Sequence, residues 1–73
     1  MSTESTTLTP GDVTKEVERI RSAADDPEIA HSLEDRLYAR LLKAIADGTC
    51  VDAAECARIA LTTGDIDFPR WFA

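Results

Sequence analysis

Cys50, Cys56 and His31 are the residues of this chain whose types most readily suggest chemistry: a thiolate activated by an imidazole, or part of a zinc site. Their spacing argues against both. The cysteines lie six positions apart, the first in an expected loop and the second on an expected helix. No fourth ligand stands at zinc spacing, and no catalytic motif surrounds either thiol. Reduced thiols are expected, because small secreted folds stapled by disulfides carry more cysteines than two. Carboxylates are plentiful, 14 Asp and Glu against 8 Lys and Arg. None has a setting that would raise its pKa toward neutrality for acid–base work. Asp25 and Asp26 stand at a helix start, where the dipole favours negative charge. Glu34 and Asp35 are neighbours pointing in different directions on a helix, and capping and solvation account for such residues. Three isolated glycines, each at a helix boundary, cannot form a phosphate-cradling loop. The expectation is a protein that is not an enzyme and holds no metal or cofactor.

Arg36, Arg40 and Lys43 recur at spacings of four and three along one polar face of the expected long helix. They are candidate contacts for phosphates or an acidic partner; the plainer reading is a solvent face complementing the helix dipole. A net charge of −6 opposes ordinary nucleic-acid binding and permits a basic protein partner. A helix-turn-helix would use the third helix as reader. That helix begins DAAECARIA, with two acids and only Arg58 as a cation. Base and phosphate contacts need Arg, Lys, Asn or Gln there, so nucleic acid is not the expected partner. An acidic mimic of DNA is the other nucleic-acid-linked alternative.

The elements that would position these residues are helical. Thr9 reads as an N-cap with Pro10 at the first helical position and Asp12 three residues past the cap, and a helix over about 10–24 follows. Val13, Val17, Ile20 and Ala24 form a narrow seam suited to one neighbouring helix. Asp26 and Pro27 start a second helix over about 27–47, stopped by Gly48 as a left-handed residue. Its apolar positions spread widely, which predicts a central helix contacted from more than one side. Asp52 and Glu55 form a capping-box-like pair for a third helix over about 53–63, with Val51 and Cys56 placed as a hydrophobic staple. Its inner face is alanine-rich, suited to close helix packing. Asp67 can cap a last turn over about 67–72. Residues 1–8, MSTESTTL, read as a disordered arm. No sustained two-residue alternation or hairpin signal appears, so the expected fold is a single all-α three-helix domain over 9–73.

At 73 residues such a chain buries only about 60% of its unfolded surface, so nearly every large apolar side chain must enter the core. The expected core is Val13, Val17, Ile20, Leu33, Leu37, Leu41, Ile45, Ala57, Leu61, Phe68 and Trp71, with Leu37, Leu41 and Ile45 as the decisive members. Helices one and two should form a hairpin, with helix three and the tail covering the broad face of helix two. The tail DIDFPRWFA holds three of the four aromatics. Ile66, Phe68 and Trp71 would supply bulk that the alanines lack, leaving Arg70 and Phe72 available to a partner. No apolar run approaches the ~20 residues of a membrane span and no signal-peptide pattern is present, which together with the cysteines points to the cytoplasm.

The run LYARLLKAIADG, the alanine-rich third helix and the ending TTGDIDFPRWFA resemble small uncharacterised helical proteins of actinobacteria and actinobacteriophages, over roughly 33–73. The resemblance implies no known activity. It implies a cytoplasmic protein of high-GC origin and, in a phage, an accessory protein that binds a host or virion component. The expected function is therefore protein–protein contact without catalysis. Homodimerisation is expected to be open to it, because three short amphipathic helices leave part of a face uncovered.

Overall fold

The computed structural model describes residues 7–70. They form three α-helices, α1 (Pro10–Ser22), α2 (Pro27–Asp47) and α3 (Ala53–Leu61), and a 3-10 turn at Thr62–Asp65. No strand occurs among the described residues; one isolated parallel bridge joins Leu8 to Cys50. The class is all-α, as the patterning predicts.

Local chemistry accounts for the helix ends. Thr9 is extended and accepts from the Asp12 amide at 3.2 Å, while Asp12 accepts from the Thr9 amide at 3.0 Å, a reciprocal capping box. The two bonds from Thr9 hold the Asp12 carboxyl below its usual pKa. Asp26 caps α2 through the Ile29 amide, and Gly48 ends it at φ 75°, a left-handed conformation that costs glycine little. At α3 only half of the expected box forms. Asp52 accepts from the Glu55 amide at 3.4 Å, but the Glu55 carboxylate pairs with Arg58 instead of returning. Asp52 itself sits at φ 56°, a region that aspartate tolerates better than most residues.

The core gathers Val13, Val17 and Ile20 of α1, Ala30, Leu37, Leu41 and Ala44 of α2, Cys56 and Ala60 of α3, and Ile66 and Phe68 beyond it. Leu33 and Ala57 are half-buried against this cluster. The centre of the bundle is α1 rather than the long α2. The α1 seam packs as extensively on α3 as on α2, and α2 and α3 touch each other less. Small residues at Cys56 and Ala60 let α3 draw close to α1, so α3 does not cover the broad face of α2.

That arrangement overturns several expectations. Ile45 is 42% exposed and Leu61 is 71% exposed, because both lie on the flanks of α2 and α3 turned away from α1. Ala44 takes the core place expected of Ile45. Helices α1 and α3 end at Ser22 and Leu61, two residues early in each case, and the last helical turn falls at Thr62–Asp65. Residues 67–70 are not helical. Leu8 does not belong to a free arm: it is 1% exposed, its amide donates to Thr49 O at 3.0 Å, and its carbonyl accepts from the Val51 amide at 2.8 Å. The staple therefore closes at α1, where Leu8 precedes the cap and Val13 is the fourth helical residue, whereas Val51 is 50% exposed. The remainder of the expected arm, residues 1–6, and Trp71 and Phe72 lie outside the described residues.

Candidate functional site

Glu34 occupies a core position of α2 and is 5% exposed. Its partner is Arg70, which the sequence reading offered to a binding partner; the guanidinium is spent inside the molecule. Arg70 Nε donates to Glu34 Oε1 at 2.9 Å and Nη2 donates to Oε2 at 3.1 Å, a two-pronged pair. Further donations reach three backbone carbonyls: Thr63 at 2.7 Å, Ile66 at 3.1 Å and Phe68 at 3.2 Å. The guanidinium also stacks 3.8 Å from the centroid of the Phe68 ring. Burial pushes the Glu34 carboxyl up, but hydrogen bonds from Arg70 and Thr63 outweigh it and the net displacement is downward. Arg70 is raised in turn, chiefly by its bonds to Glu34.

The network continues to Tyr38, whose hydroxyl lies 2.5 Å from Thr63 Oγ1 and 3.4 Å from the Ala60 carbonyl. The Tyr38 and Thr63 hydroxyls share one hydrogen bond in which either oxygen can donate, and Thr63 also helps to hold the Glu34 carboxyl down. Glu34 and Tyr38 of α2 thus tie down residues 63–70, Arg70 binds the segment's own carbonyls, and Ile66 and Phe68 are buried in the core. This cluster is structural chemistry; every charge in it is answered.

Two surface features remain as candidate sites, one on each flank of α2. On the first, Tyr38, Leu41 and Leu42 of α2 and Ala57, Ala60 and Leu61 of α3 line an apolar groove of about 260 Å³. Leu42 is 67% exposed and Leu61 71%, so the two leucines stand as walls over a floor of alanines. Ile45 extends the apolar surface one turn further along α2. The sequence reading missed this groove because it assigned Leu61 and Ile45 to the core.

On the second flank, Arg36 and Arg40 line a cleft of about 290 Å³ between α1 and α2, together with Glu16, Arg19, Leu33 and Leu37. Glu16 sits between arginines of both helices, 3.2 Å from Arg19 and 3.9 Å from Arg40. Lys43, expected to extend the same strip, instead pairs with Asp47 at 2.9 Å. The strip is therefore two residues of α2 joined by one of α1, a combination that spacing along a single helix does not reveal.

Of the remaining chemistry-bearing residues, the two cysteines are neighbours in the fold. Cys50 and Cys56 are free thiols. Cys56 is fully buried and its thiol donates to the Val51 carbonyl at 3.3 Å; burial, reinforced by the neighbouring Cys50, pushes its pKa up to about 11. His31 faces Asp35 at 3.7 Å on the same helix. No group of three or more His, Cys, Asp or Glu among the described residues is placed to hold a metal ion. No described helix is long and apolar enough to cross a membrane. The class these features define is a small all-α domain whose described surface includes an apolar and a cationic recess. Compared with protein-family models, curated proteins and solved structures, the chain matches none of them.

Proposed function

We propose that this protein acts by protein–protein contact, without catalysis, and that the groove between α2 and α3 is its docking face. The observation that carries the reading is the exposure of Leu42 and Leu61 on either side of Ala57 and Ala60. Two helices with a small-residue floor and leucine walls suit an apolar side chain or the apolar face of a helix from a partner. Burying each leucine contributes about 1.5–3 kcal/mol. Association costs about 4–15 kcal/mol, so these two side chains alone support a weak complex and further contacts, Ile45 among them, must add to it. A second copy of the chain could use the same face. The resemblance of residues 33–73 to actinobacterial and phage proteins suggests a host or virion component as partner.

The test uses the protein immobilised and exposed to an extract of the organism that encodes it. Leu42→Glu with Leu61→Glu should abolish retention of a specific partner, while Lys43→Gln leaves it intact. Retention of the same partner by the double variant would place docking elsewhere. Salt-dependent retention on duplex DNA, or competition with DNA for a basic protein, would favour the nucleic-acid-linked alternative.

A further inference from the structure

The cleft between α1 and α2 runs against the charge of the whole chain. Three of the eight Lys and Arg residues, Arg19, Arg36 and Arg40, line it, with one of the 14 acids, Glu16. The cleft carries +2 in a chain of −6, so everything outside it carries −8 (−6 less +2). A solvent face of mixed charges would not be expected to segregate cations in this way in so acidic a protein.

We propose that this cleft binds a phosphomonoester, with the phosphoryl group held by Arg19, Arg36 and Arg40 and the ester group resting on the half-buried Leu33. Glu16 shows what the cleft accepts. Its carboxylate lies 3.2 and 3.3 Å from Arg19 Nη1 and 3.9 Å from Arg40 Nη1, an oxyanion bridging guanidiniums of two helices. Each guanidinium has five N–H donors, so Glu16 uses a minority of those present. Arg36 forms no ion pair among the described residues. Asp12 also feels the charge of Arg40, but its carboxylate is committed to the Thr9 amide at 3.0 Å. The unspent donors call for a ligand with more acceptors and more charge than a carboxylate, and a phosphoryl dianion supplies three oxygens. Leu33 is half-buried at the base, an apolar seat above the buried Leu37 that inorganic phosphate would leave unused. The site lies on the opposite flank of α2 from the docking groove and does not depend on it.

In this arrangement Glu16 competes with the ligand from within the chain. Titration of the full protein with phenyl phosphate, followed by NMR of the arginine Nε–H groups, should give saturable shifts at Arg19, Arg36 and Arg40. Inorganic phosphate and benzoate should each bind several-fold more weakly. Arg36→Gln should weaken phenyl phosphate about tenfold, the loss of one charge-assisted contact. Glu16→Gln should strengthen it several-fold, an effect that general surface charge at one site would not produce at these three arginines alone. Shifts that never saturate and spread equally to Arg21 and Arg58 would overturn the site. So would unchanged or weaker binding by Glu16→Gln, and benzoate binding as tight as phenyl phosphate would overturn the phosphoryl assignment.

Discussion

At the scale of single residues, Glu34 shows how a carboxylate that looks solvated becomes structural. It shares the helical face of Ala30, Leu37, Leu41 and Ala44, so the register that buries those residues buries it too. Its folded pKa lies below the ordinary value of 4.5, so its ionised form stabilises the fold above that pH. The contribution is lost as the pH falls through the folded value. Glu34→Gln should cost about 2 kcal/mol, since it leaves Arg70 without its charge partner, and should flatten the acid limb of the stability curve. Chemical denaturation at neutral pH and below pH 4.5 measures both. The burial of Glu34 was legible in principle from its position on the apolar face; its pairing with Arg70, 36 residues away, was not. Cys56 gives a second expectation. With its pKa near 11, native Cys56 should react with iodoacetamide at pH 8 far more slowly than the same thiol in denaturant, as mass spectrometry of the modified peptide would show.

At the scale of elements, the helix starts follow from short-range chemistry and the sequence displays them openly. Thr9 and Asp12, Asp26 with Pro27, and Gly48 all act where their types and spacing place them. Leu8 marks where the same reasoning stopped short. It stands at the staple position before the α1 cap, yet a polar run of Ser and Thr before it masks the signal. Once folded, its backbone bonds to both sides of the α2–α3 loop and its side chain is sealed in the core. Leu8→Ala should therefore destabilise the protein by about 2–5 kcal/mol, as removal of a core leucine does. An arm without structure would show no change in the thermal melt. The helix α3 is the opposite case: its alanines announce close packing, but they do not say against which neighbour.

For the whole molecule, the position of α1 between α2 and α3 decides which apolar residues are core and which are surface. Leu41 is 6% exposed, and Leu41→Asp should unfold the protein, because a domain of this size has about 4–11 kcal/mol of stability to lose. Leu61→Asp and Ile45→Asp should leave the thermal midpoint nearly unchanged by comparison, since both side chains are open to solvent. Circular dichroism melts of the three variants make the comparison. A melt of Leu61→Asp as depressed as that of Leu41→Asp would mean that Leu61 is covered in solution, and a drop that depends on protein concentration would identify the cover as a second copy.

Helix number, order and caps, and the burial of Val13, Val17, Ile20, Leu37 and Leu41, could be read from residue types and periodicity. They depend on interactions within a turn or two of helix, and such interactions are written locally. The identity of the central helix, the exposure of Ile45, Leu42 and Leu61, the internal use of Arg70 and the meeting of Arg19 with Arg36 and Arg40 were decided only on folding. Each depends on which helix flanks face one another. With α1 packed more extensively than either neighbour, α2 keeps one flank only partly covered by α3 and sets its arginines against α1 on the other. Periodicity gives each helix its apolar stripe; it carries no information about the rotation of one stripe relative to the next, and that rotation made both recesses.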